Sequence, residues 1–221
     1  MNGGQGDVLD GVSSWISKFK TGQIVFDEGD QSKLMYRVEE GCVRLQVNSA
    51  RGRRQIVTFL FPGDLFGYEV EKRVCAAEAV TDSVLRTWPV KAVLKVGSRR
   101  TDVTIRLMEA SQHMFGQLAQ HLEKVTHLPA LERVIWFFSG LLSCPGLPRT
   151  AGRIHLPMMR EDIADHLGLA PETLSRVIAT LEKRGYLRRV GRRDIVLNAR
   201  TFAFKTSDHA DLKIRSHGHS S

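Results

Sequence analysis

Glu172, Ser175 and Arg176 fall at i, i+3 and i+4, with Ala179 completing the row, so on a helix they share one face. An acid, a hydroxyl and a guanidinium in that arrangement form a set suited to reading base edges. Arginine gives two hydrogen bonds to guanine O6 and N7, and glutamate accepts from cytosine N4; a good bidentate pair discriminates by ~1–3 kcal/mol. Leu174, Val177, Ile178 and Leu181 lie on the opposite side, where they would anchor the helix. The elements needed to present such a face are written around it. Residues 160–176 read as a short helix, a tight turn at Gly168 and a second helix, a helix-turn-helix pattern. Residues 184–197 read as a β-hairpin wing with a basic tip. Thr173, Arg160, Arg188, Arg189, Arg192 and Arg193 are the expected phosphate contacts, which position a protein on a duplex without reading it. Between Pro145 and Arg200 stand eleven Lys and Arg against six Asp and Glu, so the positive excess gathers where a duplex would lie.

Upstream, Ser143–Pro148 reads as a loop. Leu131, Val134, Ile135, Phe138, Leu141 and Leu142 form a helical pattern opened by Pro129, which hinges the chain near residues 126–128. Before it, a long helix spans about 99–127. One stripe on it runs Leu107, Ser111, Met114, Leu118, His121 and Val125, and a neighbouring stripe holds Met108, Phe115 and Leu122. Two stripes imply two partners, the chain's own sheet and the same helix of a second subunit; the first stripe is the expected dimer interface. A single broad core-facing stripe is the alternative. The first half of the chain has glycines at 22, 29, 41, 52 and 63 between short β-rich runs, and Leu34, Tyr36, Val38 and Val43, Leu45, Val47 alternate as strands with one wet face do. The fold class is therefore α+β. An antiparallel β-roll over 15–98 precedes the long helix 99–127 and a winged helix-turn-helix over 128–200. Residues 1–14 and 201–221 are expected to be mobile ends.

The chain has 221 residues, 32 Lys and Arg against 24 Asp and Glu, and a formal charge of +8, which favours polyanionic partners. Cys42, Cys75 and Cys144 offer neither a paired disulfide framework nor metal-ligand spacing, in keeping with a reducing cytoplasm. No signal peptide or membrane span is read. A metal-dependent β-roll enzyme is the rival from another class, but all eight His lie at or beyond position 113, outside the roll. No metal, no catalytic residue and no cofactor are expected.

Gly168-Leu169 followed by Glu172-Thr173-Leu174-Ser175-Arg176 resembles the CRP/FNR family of bacterial transcription regulators, in its FixK-like and FNR-like branch; Gly41-Cys42-Val43 and Phe61–Gly67 resemble the family's effector-domain roll, a cyclic-nucleotide-binding-domain-like fold. The resemblance spans about residues 15–198. It implies a homodimer whose Glu172, Ser175 and Arg176 contact a TTGAT-N4-ATCAA type palindrome, and activation through RNA polymerase. The polymerase would meet the 146–153 loop, with Arg149 and Arg153, and the basic tip, with Arg51, Arg53 and Arg54; a plainly solvated turn is the alternative for that tip. Cyclic-nucleotide sensors of the family carry Gly-Glu after the Phe-Gly turn and an Arg-Ser or Arg-Thr pair for the cyclic phosphate. Here Gly67 precedes Tyr68 and Arg73 precedes Val74. Residues 1–41 lack the cysteines of an iron–sulfur sensor, and the roll lacks a histidine for haem. The resemblance thus implies a FixK-like regulator without bound cofactor, in low-oxygen or nitrogen-fixation control, with a cyclic-nucleotide or haem sensor as the alternative. Ala170-Pro171 stands where relatives place a Thr cap.

Overall fold

Short β-rich runs between turn residues close into two antiparallel sheets in a computed structural model that describes residues 8–48, 54–69, 71–144, 146–147, 149–150 and 153–198. The chain divides into two units, residues 1–122 and 123–221. In the first, the strands are Trp15–Phe19 (β1), Ile24–Phe26 (β2), Leu34–Glu40 (β3), Val43–Asn48 (β4), Arg54–Leu60 (β5), Leu65–Phe66 (β6), Ala76–Ala79 (β7) and Ser83–Pro89 (β8). They form sheets of order β1-β8-β3-β6 and β2-β7-β4-β5. Both contribute to one buried cluster that includes Phe26, Tyr36, Val38, Val43, Leu45, Leu60, Phe66, Ala77 and Leu85. Within it the Phe26, Tyr36 and Phe66 rings lie 5.2–6.1 Å apart.

The β3 strand departs from the expected wet-face alternation, because Met35 is buried as fully as its neighbour Tyr36. Its sheet is covered on the second side. Helix Val90–Gly97 (α1) and the start of helix Thr101–His127 (α2) supply Val90, Val93 and Val103, which join Met35, Leu65 and Trp88 in a second cluster. Leu9, in a 3-10 turn at Val8–Gly11, and Val12, just after it, complete that cluster. Within the stretch 1–14, expected as a mobile end, Leu9 and Val12 are thus buried in the core, where their apolar side chains leave water.

The loop between β6 and β7 buries a charge. Arg73 lies inside the first unit, its guanidinium carbon 4.0 Å above the Phe26 ring. Nη1 donates to Glu69 Oε2 at 2.7 Å and Nη2 donates to the Leu34 carbonyl. Gly67 passes this group with φ +72°, and a Cβ there would sit 2.9 Å from Arg73 Nη1, so both its conformation and its lack of a side chain are required.

In the second unit, Pro129 (φ −60°, ψ 156°) starts helix Ala130–Ser143 (α3), as expected of a proline that opens a new helix. Strands Arg149–Thr150 (β9) and Arg153–His155 (β10) follow, then helices Arg160–Leu167 (α4) and Pro171–Lys183 (α5), and strands Leu187–Arg189 (β11) and Asp194–Leu197 (β12). The expected wing hairpin is half of a four-stranded sheet, β11-β12-β10-β9, in which Ile154 pairs with Ile195. Arg149 and Arg153 therefore stand on strands of that sheet rather than in an open loop.

Candidate nucleic-acid interface

Helix α4 begins after Met159, whose backbone N–H donates to Asp162 Oδ2 at 3.1 Å, satisfying one of the groups a helix start leaves orphaned. It ends at Gly168 in the left-handed region (φ 61°, ψ 39°), where the Leu169 N–H turns back to the Ala164 carbonyl at 2.9 Å. Arg133 fastens this turn to α3, donating from Nη1 to the Leu167 carbonyl at 3.1 Å and from Nε to the Leu128 carbonyl at 2.8 Å. Helix α5 then starts with Pro171 in its first turn and Ala170 as an N-cap without a side-chain hydrogen bond.

Burial divides α5 as its periodicity demands. Leu174, Ile178 and Leu181 are buried, and Glu172, Ser175, Arg176 and Ala179 are exposed. Thr173 is half-buried and accepts from Arg176 Nη2 at 3.3 Å, which holds the guanidinium along the exposed face near the helix start. The acid, hydroxyl and guanidinium therefore share one open surface.

The basic residues of the wing divide into two sets. Arg160, Arg189, Arg192 and Arg193 line one cleft of about 670 Å³ between the start of α4 and the wing, floored by apolar residues such as Met158, Ile163 and Ile178. Arg188, opposite Val196 in the ladder, points to the other side of β11, as strand alternation requires. Within the cleft two arginines are already engaged. Arg193 Nη1 donates to the Pro157 carbonyl at 3.3 Å. Arg189 is held by Glu182 on α5, which accepts the Arg189 backbone N–H at 3.1 Å on Oε1 and pairs with its guanidinium through Oε2. The hydrogen bond from Arg189 holds the Glu182 carboxyl below its usual range. Sequence reasoning missed Glu182; it lies seven residues before its partner, across a helix end and a turn, and no spacing rule joins the two.

On α2, Leu107 packs against the second cluster and Met114 against the first, so these two members of the expected dimer stripe meet the chain's own cores. Ser111 is exposed, and Leu118, His121 and Val125 are half-buried. Burial lowers the His121 pKa. The apolar residues this helix leaves exposed belong to the neighbouring stripe: Met108 at 57%, Phe115 at 74% and Leu122 at 67%, with Ile105 beside them. Of the expected polymerase contacts, Arg54 opens β5 and Arg153 is exposed on β10; Arg51, Arg53 and the Arg149 side chain lie outside the described residues, as do residues 201–221.

Among the described residues, no group of three or more His, Cys, Asp or Glu is placed to hold a metal, and no described helix is long and apolar enough to cross a membrane. Cys42 and Cys75 are buried, and burial pushes the Cys75 thiol up to about 12, far from the reactive thiolate.

Comparison with known proteins agrees with this geometry. Residues 16–100 match the cyclic nucleotide-binding domain and residues 132–201 the Crp-like helix-turn-helix domain. The nitrogen fixation regulation protein FixK of Rhizobium meliloti is 33% identical over 78% of this chain and 77% of its own. The FixK of Bradyrhizobium diazoefficiens is 35% identical over 76% and 71%. The solved structure of FixK2 from Bradyrhizobium japonicum superimposes with a TM-score of 0.82 at 30% identity, covering 87% of this chain and 96% of that one. A roll, a long helix and a winged helix-turn-helix, matched along their length by these relatives, place the chain in the CRP/FNR family of transcription regulators, on its FixK-like branch.

Proposed function

We propose that the protein acts as a homodimeric activator that binds a TTGAT-N4-ATCAA type palindrome without a bound effector, in low-oxygen or nitrogen-fixation gene control. The observation that carries the reading is the open row of Glu172, Ser175 and Arg176 on α5, backed by the buried Leu174, Ile178 and Leu181. A helix so divided enters the major groove with its N-terminal residues on base edges. The uncapped first turn of α5 presents backbone N–H groups where a phosphate is a favourable partner, and Arg160 and Arg192 in the wing cleft lie on the same unit. Activation rests on contacts with RNA polymerase, for which Arg153 and Arg54 are the described candidates. The names of the FixK relatives support the physiological setting.

The dimer contact falls on the side of α2 that stays uncovered. Ile105, Met108, Phe115 and Leu122, joined by Gln112 and Ala119, recur at steps of three and four, a coiled-coil seam on the side away from the roll's cores. A two-fold pairing along that seam makes the protein's symmetry match a palindrome, with half-sites about 34 Å apart.

Fluorescence anisotropy on a TTGAT-N4-ATCAA duplex and on a scrambled duplex tests the reading. Arg176→Ala is expected to lose ~1–3 kcal/mol per half-site on the palindrome and almost nothing on scrambled DNA. Equal losses on both would remove Arg176 from base reading.

A further inference from the structure

The buried guanidinium in the roll has to be balanced, because a charge taken out of water without a partner is strongly unfavourable. Arg73 is 4% exposed, and the balance comes from the same loop: Glu69, four residues earlier, accepts from Nη1 at 2.7 Å. Nη2 is taken by the Leu34 carbonyl, the flat face is stacked on Phe26, and Gly67 lies against Nη1. Glu69 itself keeps about a quarter of its side chain in solvent, so its carboxylate stands at the open side of this group.

The first unit matches a cyclic nucleotide-binding domain, and a cyclic phosphate needs donors that are free to receive it. On Arg73, Nη1 and Nη2 are already engaged, by Glu69 and by the Leu34 carbonyl, and the one donor left without a partner, Nε, is shut away from solvent. A phosphate brought to Nη1 would meet the Glu69 carboxylate, and two anions sharing one seat repel. Val74, the next residue, has no hydroxyl to contribute and is itself largely exposed. These residues do not fit a cyclic nucleotide.

We propose that Glu69 is a built-in ligand, its carboxylate filling on Arg73 the seat that an effector's phosphate would take, so that the roll is charge-complete without any small molecule. This deepens the effector-free part of the reading above and rests on it. Removing the carboxylate should therefore uncover an oxyanion site in a protein that otherwise has none at this position.

The test uses the full-length chain and its thermal midpoint in chloride, in inorganic phosphate at matched ionic strength, and with cyclic AMP. The wild type is expected to respond to neither ligand. Glu69→Ala is expected to lower the midpoint by about 10 °C, as breaking a buried pair does, and phosphate should restore it saturably where chloride does not. Glu69→Gln, which keeps the shape of the side chain, should show a smaller loss with the same response. Glu69→Ala combined with Arg73→Met should ignore phosphate. Saturable stabilisation of the wild type by cyclic AMP or phosphate overturns the proposal, and so do folded Glu69 variants indifferent to phosphate. Should neither variant fold, calorimetric titration of the wild type with cyclic AMP decides: saturable heat refutes a filled seat, and its absence supports one. None of these arms contains DNA, so their failure leaves the recognition-helix reading standing, and a failure on DNA leaves this one standing.

Discussion

Gly168 sets the angle between the two helices of the DNA-binding unit. Its left-handed backbone strains any residue with a Cβ by roughly 1–2 kcal/mol, and a Cβ here would press to 3.2 Å from Val125 Cγ1. Gly168→Ala should shift the urea midpoint by the equivalent of about 1–2 kcal/mol while leaving the denaturant slope alone. An unchanged midpoint would mean the turn is less constrained than its geometry states. This residue was readable in the sequence because a glycine closing a short amphipathic segment has few other uses. The same holds for Ala170-Pro171, where proline starts the helix and alanine leaves it uncapped. Arg73 was legible only through its neighbour Val74, which lacks a hydroxyl; its pairing with Glu69 was not, because that depends on a loop folding back over Phe26.

Elements carried unequal amounts of information. The helix-turn-helix and the wing announce themselves through turn chemistry and period, but β9 and β10 are two and three residues long and leave no periodic trace. The two stripes of α2 could be counted but not assigned, because a row of apolar side chains does not say which neighbour will cover it. The 107–125 row was expected at the dimer contact, whereas Leu107 and Met114 face the roll's own cores. Between α5 and β11, Glu182 keeps Arg189 occupied and so should remove it from the phosphate count. Glu182→Gln retains an acceptor for the Arg189 N–H while freeing the guanidinium. It is expected to strengthen binding to scrambled and palindromic DNA alike and to steepen the plot of log affinity against log salt by about 0.9 per subunit. Arg189→Ala in the wild-type background should leave that slope unchanged, and a fall would return Arg189 to the phosphate contacts.

At the level of the whole molecule, the reading depends on two copies meeting along α2. Phe115 is the most exposed large apolar residue on that helix, so a charge there costs the isolated chain little and the seam a great deal. Phe115→Glu should sediment as a monomer at micromolar concentration and lose the palindrome far more than scrambled DNA. A variant that remains dimeric would move the interface elsewhere. The chain's overall plan, a roll followed by a long helix and a winged reader, was visible in the order of its periodicities; the pairing of strands distant in sequence was not. One such pairing, β10 with β12, has a practical corollary. The strands flanking the helix pair are zipped to each other, so a transplantable reading head cannot begin at Arg160. Trimmed there, it would expose a raw sheet margin, ready to recruit foreign backbone, and any graft onto another scaffold has to bring Arg149–His155 along.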